Sequence, residues 1–209
     1  MYLPAQFEER RPEVLHALLH AHPLATWVSQ CDGELVVEHV PFMLDTSRGE
    51  HGTLIGHVAR ANPVWRQLSA SVLVFQGPQA YVSPAWYPSK QVHGKVVPTW
   101  NYVVVHAHGQ PRAIEDAAGL LQIVSRLTDT HEAGRPQPWQ VADAPADYIA
   151  QLLGAIVGIE IPIERLVGKW KVSQNRSTAD RAGVAAGLMA DGSAQAAAMA
   201  PLVTPAAPG

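Results

Sequence analysis

The eleven residues TWNYVVVHAHG, Thr99 to Gly109, constrain this chain more than any other stretch. Their β-branched and aromatic content suits a pleated, half-buried strand. Successive side chains of a strand point to opposite faces. Trp100, Tyr102, Val104, His106 and His108 therefore share one face, and Thr99, Asn101, Val103 and Val105 share the other. The first face is aromatic and wet at its ends, which suits a planar ligand or a partner chain. The second reads as core with a polar mouth.

The flanking segments predict more antiparallel sheet. LATWVSQ and ELVVEHVPFML flank Asp32-Gly33, a hairpin signal. GTLIGHV is a third strand, and SVLVFQG with AYVS predicts a second hairpin around Gly77-Pro78. IEIPIERLVGKWKV alternates Ile159, Ile161 and Ile163 against Glu160, Pro162 and Glu164. That strand is expected at an edge or a bulge, because Pro162 cannot donate to a ladder.

Helical periods frame these strands. AQFEERRPEVLHALLHAHP carries Val14, Leu15, Leu18 and Leu19 on one side and stops before Pro23. AIEDAAGLLQIVSRLTDTHE repeats apolar residues at helical spacing, and DAPADYIAQLLGAIVG has Pro145 near its start. SQNRSTADRAGVAAGL opens with a Ser177-to-Asp180 capping box. The order predicts an α+β fold with a closed or half-closed antiparallel barrel and flanking helices. One domain is expected over residues 1–191. Residues 192–209 carry no charge and are mostly Ala, Pro and Gly, so a disordered tail is expected there.

Bulk properties narrow the function. A net charge of −3 and a pI near 6.3 do not suit a broad nucleic-acid-binding face. The single cysteine, Cys31, excludes an internal disulfide and a thiolate metal site. MYLPAQFEERRPE turns charged at once, unlike a signal peptide, and no apolar run approaches a membrane span of roughly 18 residues. A cytoplasmic protein is the expectation. His106 with His108 and His16 with His20 have metal-pair spacing, but neither pair has an obvious third ligand, so no metal is expected. Nucleotide-binding glycine motifs are absent.

Four clusters gather a Trp, a cation and small polar groups: GHVARANPVW, YVSPAWYPSK, KVVPTWNYVVVH and GKWKVSQNRS. Tryptophan anchors with polar caps and turns would account for one such cluster; four together point to a ligand. GHVARANPVW lies on a strand-to-helix corner with His57, Arg60 and Asn62. Such a corner can grip an anion with backbone N–H groups and a cation. The rival reading is that Arg60 lies over the helix while Asn62 caps it.

At these clusters the chain resembles the PaiB-type transcriptional regulator family. GHVARANPVW, FQGPQAYVSPAWY, KVVPTWNY, LTDTHE and GKWKVSQN carry the resemblance, which runs from MYLP to GKWKVSQNRS. Ala85 departs from it, standing where the family more often has Ser. The resemblance implies an FMN-binding split barrel, a homodimer with flavin in the dimer groove, and negative transcriptional control. It implies a phosphate at the GHVARAN corner, where Arg60 is expected as the main cation and His57 and Asn62 as neutral partners; Lys90, Lys95, Lys169 and Lys171 are rival cations, because a Lys serves as a point charge where geometry is looser. It implies Trp86 or Trp100 against the flavin ring, with Ser83, Thr99, Asn101 and Gln174 completing the site. No helix-turn-helix with a basic recognition helix is legible, so direct DNA binding rests on the resemblance alone. No catalytic residue stands out, and a regulator or sensor is expected rather than a catalyst. The alternatives are a flavin-dependent oxidoreductase on a small substrate and a haem-binding split barrel.

Overall fold

The computed structural model describes residues 1–204. In chain order the elements are β1 (Glu8–Glu9), α1 (Pro12–Ala21), β2 (Leu24–Cys31), β3 (Glu34–Pro41), β4 (Met43–Asp45), β5 (Thr53–Ala59) and β6 (Ser71–Val82). There follow α2 (Ser89–His93), β7 (Thr99–Gly109), β8 (Arg112–Ile114), α3 (Ala117–Glu132), α4 (Ala146–Gly154), β9 (Ile156–Lys171), α5 (Thr178–Asp191) and α6 (Ala194–Val203). The strands pair in the order β3-β2-β6-β7-β9-β5-β4, with β1 and β8 added on β9. The fold is α+β, an antiparallel split barrel with flanking helices.

The chain divides into two compact units where one domain was expected. The first comprises Met1–Leu18, Gln76–Val105 and the chain from Val167 onward. The second comprises Leu19–Phe75 and His106–Leu166.

In the second unit, Asp32 and Gly33 both take positive φ, 50° and 85°, as the tight turn between β2 and β3 requires. Its core holds Trp27 edge-on to Phe42 at 6.2 Å, and a cluster of Ile55, Ile123 and Leu127. Gly56 lets β5 pass the Pro41 carbonyl and the Phe42 ring, where a Cβ would meet backbone at 2.9 Å. In the first unit, β7 buries Asn101 and Val103 and exposes Trp100, as the alternation predicts.

Three expectations are corrected. Gly77-Pro78 does not reverse the chain, and β6 runs through it as one strand. Gly77 lacks the positive φ that such a turn needs, although Gly33, Gly49, Gly52, Gly94 and Gly192 have it. Pro162 does not mark an edge strand, because β9 lies between β7 and β5. It occupies the last pair of the β5 ladder, opposite Thr53, and Ile163 N then donates to Gly52 O.

The third correction concerns the expected tail. Ala194–Val203 form a helix that buries Ala196, Met199, Ala200 and Val203. Ser193 caps it by accepting from Ala196 N, and the Arg181 guanidinium donates twice to Val203 O. Small and apolar side chains need no charge when a helix packs them against α5. Residues 205–209 lie outside the described residues.

Truncation after Asp191 should therefore destabilise the fold. Losing the buried Met199 and Val203 side chains alone should cost about 3 kcal/mol or more, a fall in Tm of roughly 6–12 °C. Scanning calorimetry on the truncated and full chains measures this, and an unchanged Tm would show that α6 adds nothing.

Candidate functional site

The first unit presents the outward side of β6 and β7. Tyr81 meets Trp100 edge to face, centroids 6.2 Å apart, and the rings are 49% and 48% exposed. The Trp100 Nε1 donates to Gln79 Oε1 at 3.0 Å, and Gln79 N donates to Gln195 Oε1 at 3.2 Å. These groups border a cavity of about 770 Å³ lined also by Ser83, Trp86, Asp191 and Ser193. Trp86 is seated on α5, whose Gly183 and Gly187 leave room for its carbonyl and its indole. Ser83 caps the turn Pro84–Trp86 by accepting from Ala85 N at 3.2 Å.

Cations border the same unit's β7. Lys169 is 7% exposed. Its Nζ donates to the Tyr2 carbonyl at 3.0 Å and lies 5.8 and 5.3 Å from the ring centroids of Tyr2 and Tyr102. Lys171 Nζ donates to Thr99 Oγ1 at 2.5 Å and to Trp100 O at 2.6 Å. Burial, then the charges of Lys169 and Arg176, hold the Lys171 ammonium below its ordinary pKa. Arg176 stands 4.9 Å over the Tyr87 ring. Beneath them, buried Asn101 Nδ2 donates to Ser173 Oγ at 3.0 Å. Gln174 accepts from Val172 N at 2.8 Å and donates to Trp170 O.

The structure thus gathers Ser83, Trp86, Thr99, Trp100, Asn101, Lys169 and Gln174 in one unit, with Lys90 exposed on α2. His57, Arg60 and Asn62 belong to the other unit. There the Arg60 guanidinium donates to Gly154 O, to Ile156 O and to Glu115 at 3.0, 3.1 and 2.8 Å. It also covers Trp65, whose Nε1 donates to Arg60 O. Asn62 Oδ1 caps the turn Pro63–Arg66 through Val64 N at 2.9 Å. His57 Nδ1 is buried and has no hydrogen-bond partner among the described residues. Sequence reasoning passed over Gln79 and Tyr81, because the expected hairpin broke the alternation of β6. Tyr2 and Arg176 carry no local signal; only the folded chain brings them to these rings.

The profile of a family described as "Putative FMN-binding domain" matches residues 1–165. The chain belongs to this family. An uncharacterised protein of Emericella nidulans is 35% identical over 226 residues, 90% of each chain. The protease synthase and sporulation protein PAI 2 of Bacillus subtilis is 30% identical over 183 residues, 86% of this chain and 85% of that one. Among solved structures, the flavocytochrome Anf3 of Azotobacter vinelandii superposes with a TM-score of 0.60 at 18% identity, covering 84% of this chain and 75% of that chain. At that identity the likeness concerns the fold alone. Family membership makes the flavin FMN the expected cofactor, and the candidate site lies in the unit with the aromatic face. Among the described residues no helix is long and apolar enough to cross a membrane, and no three metal-ligating side chains converge.

Two outcomes follow from this geometry. A Cβ at Gly187 would overlap Cγ, Cδ2 and Cε2 of Trp86. Gly187→Ala should cost about 1–3 kcal/mol and shift the tryptophan emission maximum; an unchanged spectrum and Tm would show that the indole is not seated there.

Burial holds the His57 imidazole below its ordinary pKa. The unfolded chain takes up this proton first as pH falls, so stability is lost below the unfolded value of about 6.5. Urea denaturation of His57→Leu between about pH 7 and pH 5 should show a shallower loss than the wild type, and equal slopes would contradict it.

Proposed function

We propose that this protein binds FMN with the flavin ring in the cavity lined by Tyr81, Trp86 and Trp100, and that a homodimer uses this occupancy for transcriptional control. The observation that carries the reading is that lining. Three aromatic rings offer broad faces to a planar tricycle, and the Gln79 and Gln195 amides with Ser83 offer donors and acceptors to its polar edge. The residues present fit the group. Bound FMN would supply a reversible redox centre. The chain's own part is to stack on the ring, exclude water from its face and satisfy its edge.

The regulatory half of the reading is supported by the Bacillus subtilis relative, whose name ties it to protease synthesis and sporulation. The dimer is supported by the exposed Tyr81 and Trp100 rings, large apolar surfaces of the kind a second copy covers.

Titration of FMN and riboflavin, followed by tryptophan quenching, tests the proposal. Wild type should bind both, and Trp100→Ala should weaken both by about tenfold, because the ring is common to them. Consumption of NAD(P)H by the FMN-loaded protein would replace control with turnover, and a Soret band in place of flavin absorption would overturn the reading in favour of haem.

A further inference from the structure

We infer that Asp191 and the Trp86 indole form a subsite for an organic cation, an alkylated ammonium, in the β6–β7 cavity beside the flavin ring. The place of that ring rests on the flavin reading above; the subsite itself rests on α5. Gly183, Gly187 and Asp191 are spaced four apart on that helix and so lie along one side of it. Trp86 is laid on the same side. A Cβ at Gly183 would overlap the Trp86 carbonyl oxygen, and a Cβ at Gly187 would overlap the indole. Asp191 follows Gly187 by one turn, a rise of about 5–6 Å. Helical side chains lean back toward the N-terminus. The helix thus brings the carboxylate to the indole's side of the cavity, and both residues line it.

The charge of the cavity is one-sided. Among the described residues that line it, Asp191 alone is charged at neutral pH, and the rest are aromatic, amide, hydroxyl or alanine side chains. No ion pair of the described residues includes Asp191. Its Oδ1 accepts from Ser193 N at 3.3 Å, which accounts for one oxygen and leaves Oδ2 without a described hydrogen bond. Asp191 is also the last residue of α5, whose last turn has no basic side chain. A carboxylate there adds to the negative end of the helix dipole, the end that favours a cation. An indole beside a carboxylate attracts an ammonium ion twice, through the ring's negative face and through the formal charge. Alkyl groups on the nitrogen suit the site further, because they offer apolar surface to Trp86 and to the Tyr81–Trp100 pair. The oxidised flavin ring carries no charge to pair with Asp191, so the carboxylate remains for a second ligand. The cavity of about 770 Å³ lies high in the range of small-molecule sites, roughly 300–1,000 Å³, and has room for both.

The test is calorimetric titration of choline, and of the neutral analogue in which carbon replaces its nitrogen, at fixed ionic strength. Both are titrated into the free and the FMN-loaded protein, as wild type, Asp191→Asn and Trp86→Leu. The asparagine keeps an acceptor for Ser193 N and removes the charge, and thermal melts check each fold. Choline should bind both forms of the wild type about tenfold more tightly than the neutral analogue. Asp191→Asn should abolish that preference and leave FMN affinity unchanged. Trp86→Leu should weaken choline by about tenfold in the free protein, where flavin plays no part. If the wild type binds no FMN but prefers choline through Asp191, the flavin reading falls and the cation subsite stands. If FMN binds and displaces choline, the cation has no place beside the ring and the inference is overturned. It is overturned equally if choline binds no better than the neutral analogue. A folded Asp191→Asn protein that keeps the wild-type preference would also overturn it, and Asp191 would then serve α6 alone.

Discussion

The hydrogen bond between Asn101 and Ser173 is the constraint on which the site's geometry depends. Both residues are buried, and the amide donates to the hydroxyl at 3.0 Å. Breaking the pair would leave a buried polar group unsatisfied, at a cost of about 1–3 kcal/mol. That bond holds Ser173 at a φ of 67°, a left-handed conformation that costs a residue with a Cβ roughly 1–2 kcal/mol. The turn it fixes follows β9 directly. The ends of β7 and β9 are thereby held in register, and Lys171 is delivered to Thr99 and Trp100 O.

The polar residues of the four clusters divide by what they bond. Ser83 and Asn62 cap short turns, Asn101 and Gln174 tie the end of β9, and Arg60 closes a corner. Such side chains satisfy backbone groups that would otherwise be orphaned, which is why they gather at turns. What remains once those bonds are assigned is aromatic surface and lysine. The candidate site is the part of the first unit's clusters that the fold does not consume.

Much of this was legible in the sequence, because it depended on local period. The β7 alternation, the Asp32-Gly33 turn, α1 and α3 appear where patterning places them. Failures came where a local signal had a non-local answer. Gly77-Pro78 looks like a turn, but β6 is held on both sides of it, by β2 at Val72–Val74 and by Gln195 at Gln79. The Ala-rich end looks unfoldable, yet helix-on-helix packing needs small residues more than charges. Arg60 and Lys169 are alike in sequence, each a cation in a short cluster that also holds a Gly and a Trp. Only the folded chain shows that the first has an acid and two carbonyls while the second has one carbonyl, that of Tyr2, and no acid.

The difference between those two cations follows from their chemistry. A guanidinium presents a rigid planar fork, and three fixed protein oxygens around Arg60 match it, so its charge is spent inside the fold. An ammonium is a point charge on a flexible stem, able to leave one acceptor for a better one. At Lys171, burial and the neighbouring Lys169 and Arg176 charges depress the pKa. An anion placed there relieves the last two and favours the protonated lysine, so anion binding and protonation reinforce one another. A neutral ring stacked on Trp100 relieves neither. The side chains of this unit therefore differ by charge: the aromatic rings on β6 and β7 are indifferent to an anion, and the lysines on β9 favour one.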